Sequence, residues 1–332
     1  MPLWIPITIA AAFLQNVRST LQKQLTGKMS ALGATYVRFA YGLPVALLYL
    51  LGLTALNDAP LPEANLLFLV YAVIGGTAQI YGTVLLVALF AYRNFAVGTT
   101  YSKTETIQTA LFGIIVLGDH LSLGAFAAIL ISLAGVLAIS IAQAKLTLTA
   151  FWRSLGERPT LMGIGSGACY GIAAVCYRAA SLSLNQPDFI LSAAYTLAVV
   201  LAIQTAMMTM WLGWRHPGQL AASFRTWKTS SAVGLAGALA SMGWFTAMTI
   251  QNAAYVRALG QIELVFTFAS SHFFFRERTS RLGNRLVGRH SNRLPAPGGR
   301  SSVGGHFNQS FPRSIETSSG LLLWKVKSSL DV

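Results

Sequence analysis

Charge is scarce in this chain. Asp, Glu, Lys and Arg make up 10% of its 332 residues, against roughly 25% in a soluble globular domain, and a mean hydropathy of +0.57 leaves too little polar surface to face water on every side. Cysteine is nearly absent. Cys169 and Cys176 are the only two, and seven residues along one apolar helix would hold them about 10 Å apart, beyond disulfide reach. A glycine-rich phosphate loop ending in Lys and Ser or Thr is missing, which excludes an ATP motor of that kind. Also missing are His and Cys at metal-ligand spacing, HExxH and GxSxG, so nothing points to a metalloenzyme or an intramembrane hydrolase. The residues imply no enzyme and no cofactor. No basic leader with a small-residue cleavage pattern precedes Gln15, Asn16 and Arg18, so the sequence from Leu3 onward reads as a retained first helix.

What is abundant is apolar sequence: 54% of residues are hydrophobic, arranged in blocks near the 20 residues that cross about 30 Å of hydrocarbon. Candidate spans fall at 3–25, 31–56, 66–90, 95–117, 123–142, 161–184, 189–211, 231–250 and 254–275. This pattern predicts an all-α, polytopic transmembrane helix bundle with the lipid bilayer as its partner. Lys145, Arg153, Glu157, Arg158 and Pro159 mark residues 143–160 as a solvated linker. It divides residues 1–142, with five spans, from residues 161–278, with four. The net charge of +14 is concentrated toward one end, because residues 276–332 supply half of it. The basic residues of the body sit in short loops, which suits orientation in a membrane and gives no reason to expect nucleic acid.

The two groups of spans repeat. Asn94, Glu105 and Asp119 recur as Asn252, Glu263 and Glu277, each displaced by 158 residues. FAVGTTYSKTETIQTALFGIIVLGDHLS therefore lies over AAYVRALGQIELVFTFASSHFFFRERTS without a gap. Lys23 with Arg178 and Tyr41 with Tyr195 match at offsets of 155 and 154. An odd number of spans per unit turns the second copy upside down. The partner of the fifth span should fall near residues 281–300, but that stretch carries Arg281, Arg285, Arg289, Arg293 and Arg300. Each would cost roughly 2.5–3.5 kcal/mol at the bilayer centre. The expectation is two inverted repeats of five spans with the last span missing or replaced, then a basic tail over 279–332 that reads as disordered and follows a change after Arg278 resembling a shifted frame. Lys23, Lys28, Arg93, Lys145, Arg153, Arg158, Arg215, Arg225 and Lys228 fall on one face, and Asp58, Glu63, Asp119 and Asp188 on the other. The basic face is then cytoplasmic and the N-terminus outside.

Polar groups inside spans are costly in lipid and face the bundle interior or a wet cavity. Gln15, Arg18, Ser19 and Gln22 form one stripe of the first span at i, i+3, i+4 and i+7. They line a cavity or bond neighbouring helices. Arg38 opens the second span with Tyr41 one turn on, either snorkelling to headgroups or facing the cavity. Lys103 and Glu105 sit mid-span, two apart, and need partners on other helices. Glu105 with Arg18 and Lys103 with Glu263 are pairings the sequence permits. Glu105 and Glu263 are candidates for proton coupling, since a carboxylate in low dielectric can load and release a proton near neutrality; a permanent ion pair is the plainer reading. Tyr101, Gln108, Gln261, Trp244 and Gln79 could line a cavity, and His272 reads as structural. The candidate substrate and ion pathway is Arg18, Gln22, Arg38, Lys103, Glu105, Gln261 and Glu263, with no metal site.

The segment ending in LGDHLS, and its second copy ending in FRERTS, resemble the EamA repeat of the drug/metabolite transporter superfamily, whose fourth helix closes on a Leu-Gly-Glu-like turn. The resemblance covers residues 1 to about 278. It implies a ten-helix exporter or importer of amino acids, metabolites or toxic organic compounds, usually driven by a gradient; with the carboxylates above, the expectation is a secondary transporter working by gradient-driven efflux across a bacterial plasma membrane, with protons as the coupling ion. It also implies cytoplasmic termini, against the charge count above. The alternative is a non-transporting membrane protein, an inactive relative or a member of a larger complex.

Overall fold

The computed structural model describes residues 1–264 and 266, apart from 59, 90–91, 93–94, 121 and 144–146. Arg93, Asn94, Lys145, His272, Glu277 and the basic tail lie outside the described residues. Among those described, every regular element is a helix. The first group comprises α1 (Trp4–Leu25), α2 (Ala31–Ala40), α3 (Leu43–Asn57), α4 (Leu66–Leu89), α5 (Phe95–Ser102), α6 (Glu105–Leu117) and α7 (Leu123–Gln143). The segment expected as a bare linker carries α8 (Leu148–Arg153) and a 3-10 turn (Ser154–Gly156). The second group comprises α9 (Arg158–Ser183), α10 (Phe189–Arg215), α11 (Pro217–Arg225), α12 (Trp227–Ile250) and α13 (Ala253–Gly260).

Five helical stretches are long and apolar enough to cross a bilayer: Ala31–Asn57, α4, α9, α10 and α12. α1 has the length, at 22 residues, but its polar stripe dilutes its hydropathy. The fourth span of each group is broken into shorter pieces. The second span bends between α2 and α3, where Pro44 at the head of α3 removes an N–H and its ring clashes with the carbonyl one turn back. Some ends elsewhere carry caps. The Asp188 carboxylate accepts from the N–H of Ile190 at 2.8 Å and opens α10. Gly118, at φ +64°, closes α6 in the left-handed conformation that a side chain would disfavour.

Contacts fix the direction of each helix. Gln22 Nε2 on α1 donates to the Ala34 carbonyl on α2, and Arg18 lies beside Arg38 over Gly237, so α2 runs antiparallel to α1. Arg38 Nη1 donates to Thr83 Oγ1 and Val87 clusters with Ala34 and Val37, which makes α4 antiparallel to α2 and hence parallel to α1. On α9, Tyr177 and Cys176 press against Gly75, and Cys169 and Ser166 against Gly82, so α9 is antiparallel to α4. The first helix of the second group therefore points opposite to the first helix of the first group. The two halves are inverted.

They are also reciprocal. α4 packs chiefly on α9, and α1 on α12, so the first span of each half lies on the third span of the other. Lengths match as well: Ala31–Asn57 and Phe189–Arg215 each have 27 residues, and α4 and α12 each have 24. Small residues allow the close approach. A Cβ on Gly75 would meet Tyr177 Cε1 at 2.8 Å, and one on Gly243 would meet Ala11 Cβ at 2.8 Å. Tyr177 Oη closes the first seam by donating to the Gly75 carbonyl at 3.0 Å, and Gln204 Nε2 donates to the Gly76 carbonyl at 3.0 Å.

The outer surface is apolar. Leu48, Ile115, Ile131 and Met210 are each at least 70% exposed, a surface that only lipid would cover favourably. Trp211, Trp214 and Trp227 lie exposed at the basic end. There Arg215 sits over Trp214 at 4.3 Å, as in the aromatic belt at a headgroup boundary.

Candidate functional site

The fourth spans break at the same place in both halves. α5 (Phe95–Ser102) and α13 (Ala253–Gly260) are each eight residues long and stand 158 positions apart, the offset at which Glu105 and Glu263 also correspond. After α5 the backbone tightens: Lys103 N–H donates to the Thr100 carbonyl and Thr104 N–H to the Tyr101 carbonyl, both at 3.1 Å. After α13 the Gln261 N–H donates to Ala258 and the Ile262 N–H to Leu259, the same two bonds at the equivalent residues. In the first half hydroxyls favour the break, because Ser102 Oγ donates to the Thr99 carbonyl and Thr104 Oγ1 to the Tyr101 carbonyl, competing with the helical ladder. In the second half Gly260 lets the Trp244 ring press onto the backbone.

Charges cross between the halves at these breaks. Lys103 Nζ reaches Glu263 Oε2 at 4.0 Å, one of the pairings the sequence permits. Glu105 Oε1 meets Arg257 Nε at 3.0 Å and not Arg18. Each carboxylate thus draws its cation from the other half. Gln15 Nε2 on α1 donates to Glu263 Oε2 at 2.8 Å, Gln261 Nε2 donates to Thr106 Oγ1 at 3.0 Å, and Arg257 lies over the Trp244 ring at 4.9 Å. Buried polar atoms without a hydrogen-bond partner among the described residues gather here: Gln108 Oε1, Trp244 Nε1 and Gln261 Oε1. Each would cost about 1–3 kcal/mol if it stayed dry.

Arg18 and Arg38 form a second group. Both are nearly sealed from solvent, at 4% and 6% exposure. A Cβ on Gly237 would lie 3.4 Å from Arg18 Cδ and 3.4 Å from Arg38 Cγ, so the two stems lie side by side over one residue of α12. Their acceptors are neutral hydroxyls: Ser19 Oγ for Arg18 Nη2 at 3.1 Å and Thr83 Oγ1 for Arg38 Nη1 at 3.2 Å. Thr83 Oγ1 in turn meets Tyr170 Oη at 2.9 Å. The structure brings Gln22 near neither group. Its amide donates to the Ala34 carbonyl at 2.8 Å and ties α1 to α2. Gln79 is bound within the α4–α9–α10 seam by Tyr177 and Gln204. Tyr101 lies buried at 3.4 Å from Ser154.

Arg257 is the charge at the breaks that the repeat pattern does not single out, because it stands over Thr99 and not over a like residue. A cation with Glu263 as the only other charge between Lys228 and Arg276, in apolar sequence, was the available signal.

A comparison with curated proteins finds no match. Residues 2–141, the whole of the first half, match the EamA-like transporter family. Through those residues the chain is similar to the EamA-like transporters of the drug/metabolite transporter type, and with five membrane-length apolar helices it is an integral membrane protein.

Proposed function

We propose that the protein is a secondary active transporter that carries small organic metabolites, amino acids or drugs outward by alternating access, with residues 161–278 acting as a second, inverted EamA-like unit and residues 143–160 as the connection. One observation carries this reading: both fourth spans break at equivalent residues, and the charges beside the breaks pair across the halves. Discontinuous helices near the midplane are where such transporters hold substrate and coupling ion. Crossed pairs suit rocking, because they hold one arrangement of the halves and part when the halves move. Glu105 and Glu263 take protons as coupling groups in this reading, and Lys103 and Arg257 are the cations they exchange for those protons. The basic face lies in the cytoplasm of a bacterial cell, as the Lys and Arg bias favours.

The test is transport by the purified chain in proteoliposomes with an imposed proton gradient, screened against amino acids, organic acids and toxic organic cations. The parent should drive uptake of at least one class with proton movement. Glu105→Gln and Glu263→Gln should each abolish the substrate-coupled proton flux while solute exchange without a gradient persists. Coupled flux at parental rate in both variants would remove these carboxylates from the mechanism.

A further inference from the structure

The described spans hold five buried or half-buried cations, Arg18, Arg38, Lys103, Arg178 and Arg257, against two carboxylates, Glu105 and Glu263, with half-buried Asp119 just past the end of α6. Two of the cations are neutralised by the crossed pairs. A third, Arg178, caps a helix: its Nη1 donates to the Met248 carbonyl at 2.7 Å and the Gln251 carbonyl at 2.6 Å, at the negative end of the α12 dipole. Arg18 and Arg38 remain. Neither has a carboxylate partner among the described residues, and both are more than nine-tenths buried. On Arg18 two of the three guanidinium nitrogens, Nε and Nη1, are buried with no acceptor among the described residues.

Two like charges held side by side in the interior, with donors unfilled, are unfavourable in an empty protein, because each pays desolvation and each repels the other. Guanidinium groups match oxyanions in shape, giving two parallel charge-assisted hydrogen bonds to a carboxylate or phosphate. We infer that Arg18 and Arg38, seated over Gly237, form the oxyanion subsite of the substrate pathway, and that the carried solute bears a carboxylate or a phosphate. The inference rests on the transport reading only for the word substrate; the anion site itself stands on the geometry. Gly237 fits this role, since a bulkier residue there would push the two stems apart. Thr83 and Tyr170 hold Arg38 in place through the hydroxyl chain described above.

The experiment uses the full chain in lipid nanodiscs and measures binding calorimetrically, with succinate and glycerol phosphate as probes and chloride and glycerol as controls. One or both oxyanions should bind and raise the melting temperature, and the controls should not. Arg18→Met and Arg38→Met should each weaken that binding about 100-fold. Arg18→Lys, which keeps the charge and loses the planar fork, should weaken it about 10-fold while folding normally. The diagnostic readout is the ligand-free melting temperature. Arg18→Met should raise it by a few degrees, because an unfilled buried charge is removed, whereas a structural arginine would lower it on removal. Absence of oxyanion binding in the parent overturns the inference, as does equal binding of chloride or a lowered ligand-free melting temperature in Arg18→Met with binding unchanged. Oxyanion binding without any solute exchange in proteoliposomes would overturn the transport reading and leave the site standing. Exchange of a neutral or cationic solute without oxyanion binding would do the reverse.

Discussion

Glu105 and Glu263 occupy one position in two copies of the same unit, yet the fold holds them differently. Glu105 meets Arg257 at 3.0 Å with side-chain exposures of 14% and 10%. Glu263 meets Lys103 at 4.0 Å with exposures of 17% and 21%, and it also receives the amide of Gln15 from α1. The first pair is a close clasp between α6 and α13. The second is a looser contact in which a neutral donor shares the carboxylate. Symmetry of the chain trace therefore does not extend to the charges. If the halves rock about the breaks, the Lys103–Glu263 contact parts first and the tighter Glu105–Arg257 clasp after it.

The sharpest way to break this comparison is Glu105→Gln. It leaves Arg257 as an uncompensated buried charge, which typically costs about 3–5 kcal/mol. The melting temperature of the purified protein should fall by on the order of 10 °C. Adding Arg257→Gln to the same chain should recover most of that loss, because the pair's own net contribution is small once both charges are gone. A double variant as unstable as Glu105→Gln alone would show that the clasp acts through something other than its charges.

Gln15→Leu probes the other side with a smaller effect. Hydrogen bonds to charged groups contribute about 1.5–3 kcal/mol, so this change should destabilise by an amount in that range and lower the melting temperature by several degrees. It should also make Glu263 more dependent on Lys103. Adding Lys103→Gln to Gln15→Leu should then cost more than Lys103→Gln alone, a coupling that a double-mutant cycle reads directly.

Much of the fold was legible in the residues, because a bilayer demands long apolar runs and tolerates few charges between them. The inversion of the halves followed from the parity of spans, and the helix directions reproduce it. The breaks were not legible: polar and charged residues stand at both, SKTE at 102–105 and GQIE at 260–263, but apolar sequence resumes after each and no proline interrupts either. The cluster of Thr99, Thr100, Ser102 and Thr104 hinted at the first break, but hydroxyls in a membrane helix are equally at home bonding the previous turn. α11 lay hidden for another reason. It is nine residues long with polar ends, below the length at which hydropathy speaks, and it is held by Gln219 Oε1 accepting from the Ser30 N–H at 2.9 Å and by the Ser223 carbonyl accepting from Tyr41 Oη at 3.0 Å. The partner of Glu105 was left open by the sequence because any cation within reach satisfies a charge, and reach is a property of the packed bundle.

Lys103→Gln should have the smallest effect of the series. Its ammonium stands 4.0 Å from Glu263 Oε2 and keeps 21% of its side chain exposed, so solvent screens the pair and its worth falls toward the 0–1 kcal/mol of exposed ion pairs. The stability of the variant should lie within a degree or two of the parent, since Gln15 continues to donate to the carboxylate. Its transport should nevertheless change. With that cation gone, the looser of the two crossed contacts is lost while the Glu105–Arg257 clasp stays, and substrate-coupled proton flux in proteoliposomes should fall relative to the parent. Parental flux in Lys103→Gln would mean that the Lys103–Glu263 contact takes no part in coupling, and the two carboxylates would have to be treated as equals after all.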